Sequence, residues 1–188
     1  MMTNLGPKDS DNWTELKSSS AIDEMTREEL HSAMLDSSRL WLAHDGLWFQ
    51  AVENMHGMAD AIKADTDAWM NFTTLEAKRI LSRIGVEIGK GNVDDLALAL
   101  RHRLYANIND MKIEKCGNKI RMTMVNCRVQ SARQKKNLDP FPCKSVGIVE
   151  YSEFAKTVNP KFITKCNFCP PDPLSDDGHC QWKFELVD

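Results

Sequence analysis

Proline sets the first constraint on this chain: after Pro7 none occurs until Pro140, and the remaining six fall between Pro140 and Pro173. Proline removes a backbone N–H and its ring clashes with the preceding helical turn, so it is excluded from helix interiors. Residues 8–139 are therefore free to form long helices, while the last part of the chain is repeatedly held in turns and extended segments. Asp23-Glu24-Met25-Thr26, followed by Glu28 and Glu29, supplies a capping residue and acids at a helix start. Leu30, Met34, Ser38, Trp41 and Leu42 then recur at helical spacing, and Leu47, Trp48, Phe49, Val52 and Met55 continue an apolar face. Gly57 marks a break. A second long helix carries Met58, Ile62, Trp69, Phe72, Ile80, Leu81 and Ile84 up to Gly85, and a shorter third helix covers residues 94–105.

From residue 111 the apolar period changes from helical to alternating. Met111 and Ile113 lead through the turn Cys116-Gly117-Asn118 into Ile120, Met122 and Met124, a hairpin pattern. Residues 131–138 form a short basic helix, Cys143 begins another that runs to about Val158, and residues 162–168 form a strand. In the last strand Cys180, Trp182, Phe184 and Leu186 face one way and Gln181, Lys183 and Glu185 the other. The expected fold class is α+β, an N-terminal helical layer packed on a mostly antiparallel C-terminal sheet. Residues 1–21 are expected to be a disordered tail. Residues 22–188 are expected to form one domain, with a helical part (22–107) and a sheet and cysteine part (108–188).

A chain of 188 residues with 42% hydrophobic and 27% charged residues has the composition of a soluble globular protein. Its net charge of -3 argues against nucleic acid as a partner. That total hides an asymmetry: residues 1–100 hold 9 Lys/Arg against 17 Asp/Glu, and residues 101–188 hold 15 against 10. No apolar run is long enough for a membrane span, and residues 1–21 lack the basic-then-apolar layout of a signal peptide. The expected compartment is the cytoplasm. There, six cysteines are metal ligands, reactive thiols or buried residues rather than a disulfide frame.

Four of the six carry the most specific signal. Cys166-Asn167-Phe168-Cys169 is a Cys-x-x-Cys pair, Cys180 follows across a proline-rich loop, and Cys143 precedes it by one helix. Such a knuckle turns two thiolates toward one ion, and more distant residues complete a tetrahedron, which points to structural zinc. Two other readings stay open, buried apolar thiols and a redox pair; Pro170-Pro171 disfavours the second, because a redox pair usually opens a helix. Cys127 is the substitute ligand. Four protein ligands would leave no open coordination site, so the metal would be a staple.

A second cluster comprises His44, Asp45, Trp48, Phe49 and Glu53, of which Asp45 and Phe49 share a helix face with Val52. An aromatic pair with an acid and a histidine suits a pocket for a planar or carboxylated ligand, although aromatic residues at this spacing are usually packing. Arg128 and Arg133 lie in a basic stretch that could hold a carboxylate or phosphate, face the acidic helices, or stay solvated. There is no Gly-rich phosphate loop, no Gly-x-Ser-x-Gly elbow and no His-Glu-x-x-His.

The run from Cys127 through Pro142-Cys143, Cys166-Asn167-Phe168-Cys169 and Gly178-His179-Cys180-Gln181-Trp182-Lys183-Phe184 resembles the C-terminal half of the 4-vinyl reductase domain family. Some members of that family bind zinc with the corresponding side chains. Here Cys166 stands where an acidic ligand is usual, and the loop before Cys180 is longer. Over its whole length the chain more closely resembles an uncharacterised family, DUF6125. The marks are Asp45-Gly46-Leu47-Trp48-Phe49, Val52-Glu53, Ser131-Ala132-Arg133, Phe141-Pro142-Cys143-Lys144 and Cys169-Pro170-Pro171-Asp172-Pro173. A looser similarity is to the L-2-amino-thiazoline-4-carboxylate hydrolase-like group. These resemblances imply a fold like the 4-vinyl reductase and TRAPP-type domains, a homodimer, and a pocket between helices and sheet for a small hydrophobic or carboxylated molecule.

The leading expectation is a zinc-stabilised, non-catalytic small-molecule-binding or sensory domain. The rival is a small hydrolase acting on a carboxylated heterocycle or amide, built from groups such as His44, Asp45, Glu53 or the Cys127 thiol. A dry apolar cavity would favour binding. Convergent titratable groups with an open metal position would favour catalysis.

Overall fold

A computed structural model describes residues 14–15, 20–173 and 175–188. The expected disordered tail falls largely outside these residues. The chain divides into two compact units, Met1–Met34 and Leu35–Asp188. In the first, a short helix α1 (Ser20–Asp23) precedes the start of α2 (Arg27–His56). Thr26 caps α2: its hydroxyl accepts from the Glu29 N–H at 3.2 Å, and the Glu29 carboxylate accepts from the Thr26 N–H at 2.8 Å. This is a reciprocal capping box, which satisfies two of the donors left free at a helix start.

In the second unit α2 passes through His44-Asp45-Gly46 without interruption and ends at Gly57, whose φ of 88° lies where side chains are strained. Helix α3 (Met58–Ile84) ends on Gly85 in the left-handed conformation, with the Val86 N–H reaching back to the Leu81 carbonyl. Helix α4 (Val93–Arg101) is capped by Asn92, which exchanges bonds with Asp95. It is followed by a 3-10 turn, Leu104–Asn107, so the expected third helix is split in two. The strands are β1 (Asp110–Cys116), β2 (Lys119–Asn126), β3 (Phe162–Phe168) and β4 (Cys180–Leu186), in the order β1-β2-β4-β3 with every pairing antiparallel. Helices α5 (Arg128–Lys135) and α6 (Lys144–Val158) lie between β2 and β3 in the chain. The fold is α+β, as the change of apolar period indicates. No helix among the described residues is long and apolar enough to cross a membrane.

One face of the sheet carries the core. Ile120, Met122 and Met124 of β2 stand opposite Phe184, Trp182 and Cys180 of β4, all buried. Helix α6 covers them with Gly147, Tyr151, Phe154, Ala155 and Val158, spaced along one helical stripe. Gly147 is required by the closeness of that approach, because a Cβ there would lie 2.7 Å from Cζ2 of Trp182. Helix α3 packs on α6 through Thr73, Glu76, Ala77, Ile80 and Leu81, and the Thr73 hydroxyl donates to the Glu150 carbonyl at 3.0 Å. A second, aromatic cluster joins α2 to α3: Trp41 stacks on Phe72 at 5.5 Å, and Trp69 stacks on Tyr105 at 5.7 Å. The expected apolar face of α2 is only partly used. Trp41 and Phe49 pack inward, while Leu47, Trp48 and Met55 are exposed.

Between the two clusters lies a buried ion triad. Arg103 is only 3% exposed; it contacts Glu76 on α3 at 2.9 Å and Glu150 on α6 at 2.6 Å. Its guanidinium sits 4.8 Å from the Phe154 ring centre and 5.4 Å from that of Tyr151. Burial alone would lower the Arg103 pKa, but the two carboxylates raise it, so the cation is locked. Replacing Arg103 by Met would leave two buried carboxylates without a counter-charge. The expected loss is about 3–5 kcal/mol in denaturant unfolding. A loss below about 1 kcal/mol would show that the triad is not holding α3 to α6.

Candidate functional site

The site grows from the place where these elements fail to close on one another. Helices α2, α3, α5 and α6 and the adjoining ends of β2 and β4 line a cavity of about 800 Å³ that is open to solvent. Asp45 and Phe49, four apart on α2, point to it from one side, as do Asp65 and Trp69 on α3, again four apart. Tyr105 comes from the 3-10 turn, and Glu150 and Tyr151 from α6. Four thiols, Cys127, Cys143, Cys169 and Cys180, line another part of the wall.

The acidic side is electrostatically loaded. Burial is the main cause that raises the pKa of Asp65, helped by the negative charges of Asp45 and Glu150, and pushes it up to about 7. Burial also raises Asp45, with His44 opposing. Glu150 is raised by its burial, which outweighs the attraction of Arg103. Tyr105 is held well above the ordinary phenol range, first by burial and then by Glu150 and Asp45. Asp65, Trp69, Tyr105, Glu150 and Tyr151 were not among the expected pocket residues; Trp69 was expected only in the buried stripe of the second long helix. The one available signal was an acid four residues before an aromatic on the second helix, as Asp45 stands to Phe49 on the first.

The thiols gather at the N-terminus of α6. The Sγ atoms of Cys143 and Cys169 are 3.5 Å apart, and Cys180 lines the same wall of the cavity. The knuckle is closed by the Asp172 N–H donating to the Cys169 carbonyl at 2.9 Å, and by the Cys169 N–H donating to the Asp172 carboxylate at 3.2 Å. Lys144 on α6 clamps that carboxylate at 2.7 and 2.9 Å. Cys166 stands opposite Trp182 in the sheet and is half-buried on the core side, but does not line the cavity. Burial pushes the Cys166 thiol up to about 11 and that of Cys127 up to about 12. Cys180 is lowered, chiefly by the hydrogen bond from Cys169. Cys116, at the end of β1, is exposed and apart.

Soft sulfur donors suit zinc, and a tetrahedral site needs neighbouring sulfurs about 3.8 Å apart, close to the Cys143–Cys169 separation. Among the described residues, however, no group of three or more His, Cys, Asp or Glu side chains is arranged to hold a metal ion. The donor set fits the metal; its present arrangement does not close around one.

The other expected pocket residues divide. Asp45 and Phe49 are on the wall, with Phe49 against Phe141 at 4.7 Å. His44 and Trp48 are exposed and outside the cavity, because each is turned about 100° from its lining neighbour on α2. Glu53 is committed elsewhere. It forms a two-pronged ion pair with Arg133 at 2.7 and 2.8 Å, and the Arg133 guanidinium also donates to the Asp139 carbonyl at 2.6 Å. Arg133 lines the cavity yet is already spent on Glu53, which leaves the exposed Arg128 as the less encumbered of the two expected arginines.

Asp65 gives this site a pH signature. Its folded pKa lies above the unfolded value of 3.8, so the folded state binds the proton more tightly. Stability from this group is full below about pH 4 and is lost as pH rises toward 7. The charged groups facing it are Asp45 on α2 and Glu150 on α6, the latter tied to Arg103. Asp65→Asn is expected to gain about 1 kcal/mol or more over the parent at pH 8, with the difference vanishing near pH 4, in urea unfolding at both pH values.

No curated protein and no solved structure matches this chain. The model of a family of unknown function, DUF6125, matches residues 23–186, and the chain belongs to that family.

Proposed function

We propose that the protein is a small-molecule-binding domain of the sensory kind, without catalysis of its own, in which the cavity is the binding site and the thiols form a structural zinc staple. The carrying observation is the cavity. At about 800 Å³ it has the size of small-molecule sites, and Phe49, Trp69, Tyr105, Phe141, Tyr151 and Trp182 give its wall an aromatic part beside the polar one. Cys143, Cys166, Cys169 and Cys180 would hold the metal, with Cys127 as substitute. When bound, zinc would supply no chemistry beyond tying the knuckle and β4 to α6. The 3.5 Å thiol pair and the presence of Cys180 on the same cavity wall support that part. A homodimer with the layout of 4-vinyl reductase and TRAPP-type domains belongs to the same proposal, supported by the exposed Leu40, Leu47, Trp48 and Met55 on α2.

The hydrolase reading has one observation in its favour: Asp45 and Asp65 converge on the cavity with raised pKa values, as a general acid or base would. A thiol nucleophile at Cys127 is disfavoured, because burial keeps that group protonated. Native mass spectrometry of the reduced, purified protein tests the proposal. The expected result is a dimer with about one zinc per chain, lost in Cys169→Ser and on chelation, and a small molecule retained in the cavity. Metal-free protein from zinc-replete cells would sink the staple. Turnover of an added amide or carboxylated heterocycle, abolished by Asp65→Asn, would replace binding with hydrolysis.

A further inference from the structure

The cavity has two charged sides of different kinds. On the α5 side the cations are spent or solvated: Arg133 is bound to Glu53, Lys136 donates to Gln50 at 3.0 Å, and Arg128 is exposed. The α2, α3 and α6 side carries the acids Asp45, Asp65 and Glu150, while Arg39, which also lines the cavity from α2, is paired with Asp36 at 2.9 Å. Asp45 and Asp65 have no ion-pair partner among the described residues; the neighbours that favour their charged forms are His44 for Asp45 and the Trp69 indole for Asp65. Arg103 is held between Glu76 and Glu150 and forms an ion pair with neither Asp45 nor Asp65.

A second observation is independent of the acids. Tyr151 is more than nine-tenths buried and lines the cavity, yet its hydroxyl takes no hydrogen bond from any described residue. It is also absent from the polar atoms that are sealed away without a partner, so it opens on cavity space. A buried hydroxyl left free in this way is a place for a ligand atom. Trp69 and Tyr105, stacked at 5.7 Å, line the same cavity; the Arg103 guanidinium already lies 5.7 and 5.8 Å from their ring centres, and such rings favour organic cations over bare metal ions. No metal-holding group of three occurs among the described residues.

We propose that the acidic side of this cavity binds a small organic cation, a protonated amine, with Asp45 and Asp65 as counter-charges, Trp69 and Tyr105 as walls, and the Tyr151 hydroxyl as hydrogen-bond acceptor. This rests on the reading of the cavity as a small-molecule site and names the ligand class. Binding of the amine relieves the repulsion between the two carboxylates, which a neutral or anionic molecule cannot do.

Isothermal titration calorimetry on the whole protein tests it with three probes of one skeleton: 2-phenylethylammonium, 2-phenylethanol and 3-phenylpropionate. The cation is expected to bind at least about tenfold more tightly than the other two, and to lose about tenfold or more in both Asp65→Asn and Asp45→Asn. Thermal melts establish that each variant is folded, and Tyr151→Phe should weaken the cation while leaving the carboxylate, which has no proton to donate, no weaker. If the alcohol or the carboxylate binds as tightly as the cation, the cation inference falls while the small-molecule reading stands. Equal cation affinity in the folded Asp variants also overturns it. If no probe binds at millimolar concentration, this inference and the cavity's reading as a site for molecules of this size fall together.

Discussion

The buried Arg103 is the interaction on which the rest of the structure depends. It leaves the chain between α4 and the 3-10 turn and joins two carboxylates from helices far apart in sequence, Glu76 on α3 and Glu150 on α6. Three charges taken out of water cost several kcal/mol each, and the cost is met only when every partner is in place. The triad is therefore a device of position more than of net stability. It fixes the rotation of α3 against α6, and the bond from Thr73 to the Glu150 carbonyl fixes their height. The aromatic rings around the guanidinium then have one arrangement, and the cavity wall inherits it.

From that anchor the two halves of the cavity follow. Glu150 and Tyr151 are neighbours on α6, so holding Glu150 in the triad also aims Tyr151 along the cavity, where its ring meets Trp182 at 4.8 Å. Trp182 stands against Gly147 on the next turn of α6, and beyond it lie the thiols gathered at that helix's first residues. Acidic side and sulfur side are thus joined by one helix, closely packed on one strand. A shift of α6 by a fraction of an ångström would be felt at both, because interiors packed this tightly transmit displacement.

Much of the fold was legible because periodicity is a local property. The strands at residues 162–168 and 180–186 were placed by alternation, and the breaks at Gly57 and Gly85 by the conformations glycine alone adopts easily. The short basic helix came out three residues earlier, at Arg128–Lys135, since its start depends on Cys127 and Asn109 rather than on an apolar stripe. Half of the candidate pocket was legible for a similar reason. Asp45 and Phe49 share a helix face, but nothing local distinguishes that face from the one bearing His44 and Trp48, which remains in solvent.

The sequence by itself determined the two long helices, the four strands, the α+β class and the family, because each of these is written in patterns along the chain. It also singled out the cysteines, whose Cys-x-x-Cys spacing is itself a local pattern. Only the tertiary structure decided what those groups meet. Arg133 was an open cation in the sequence and is a closed ion pair with Glu53, eighty positions away, in the fold. Asp65 was one acid among many and became a strongly perturbed carboxylate of the cavity, because burial and two distant acids act on it together. Charge, burial and partner are sums over all neighbours in space, and no window along the chain contains those sums.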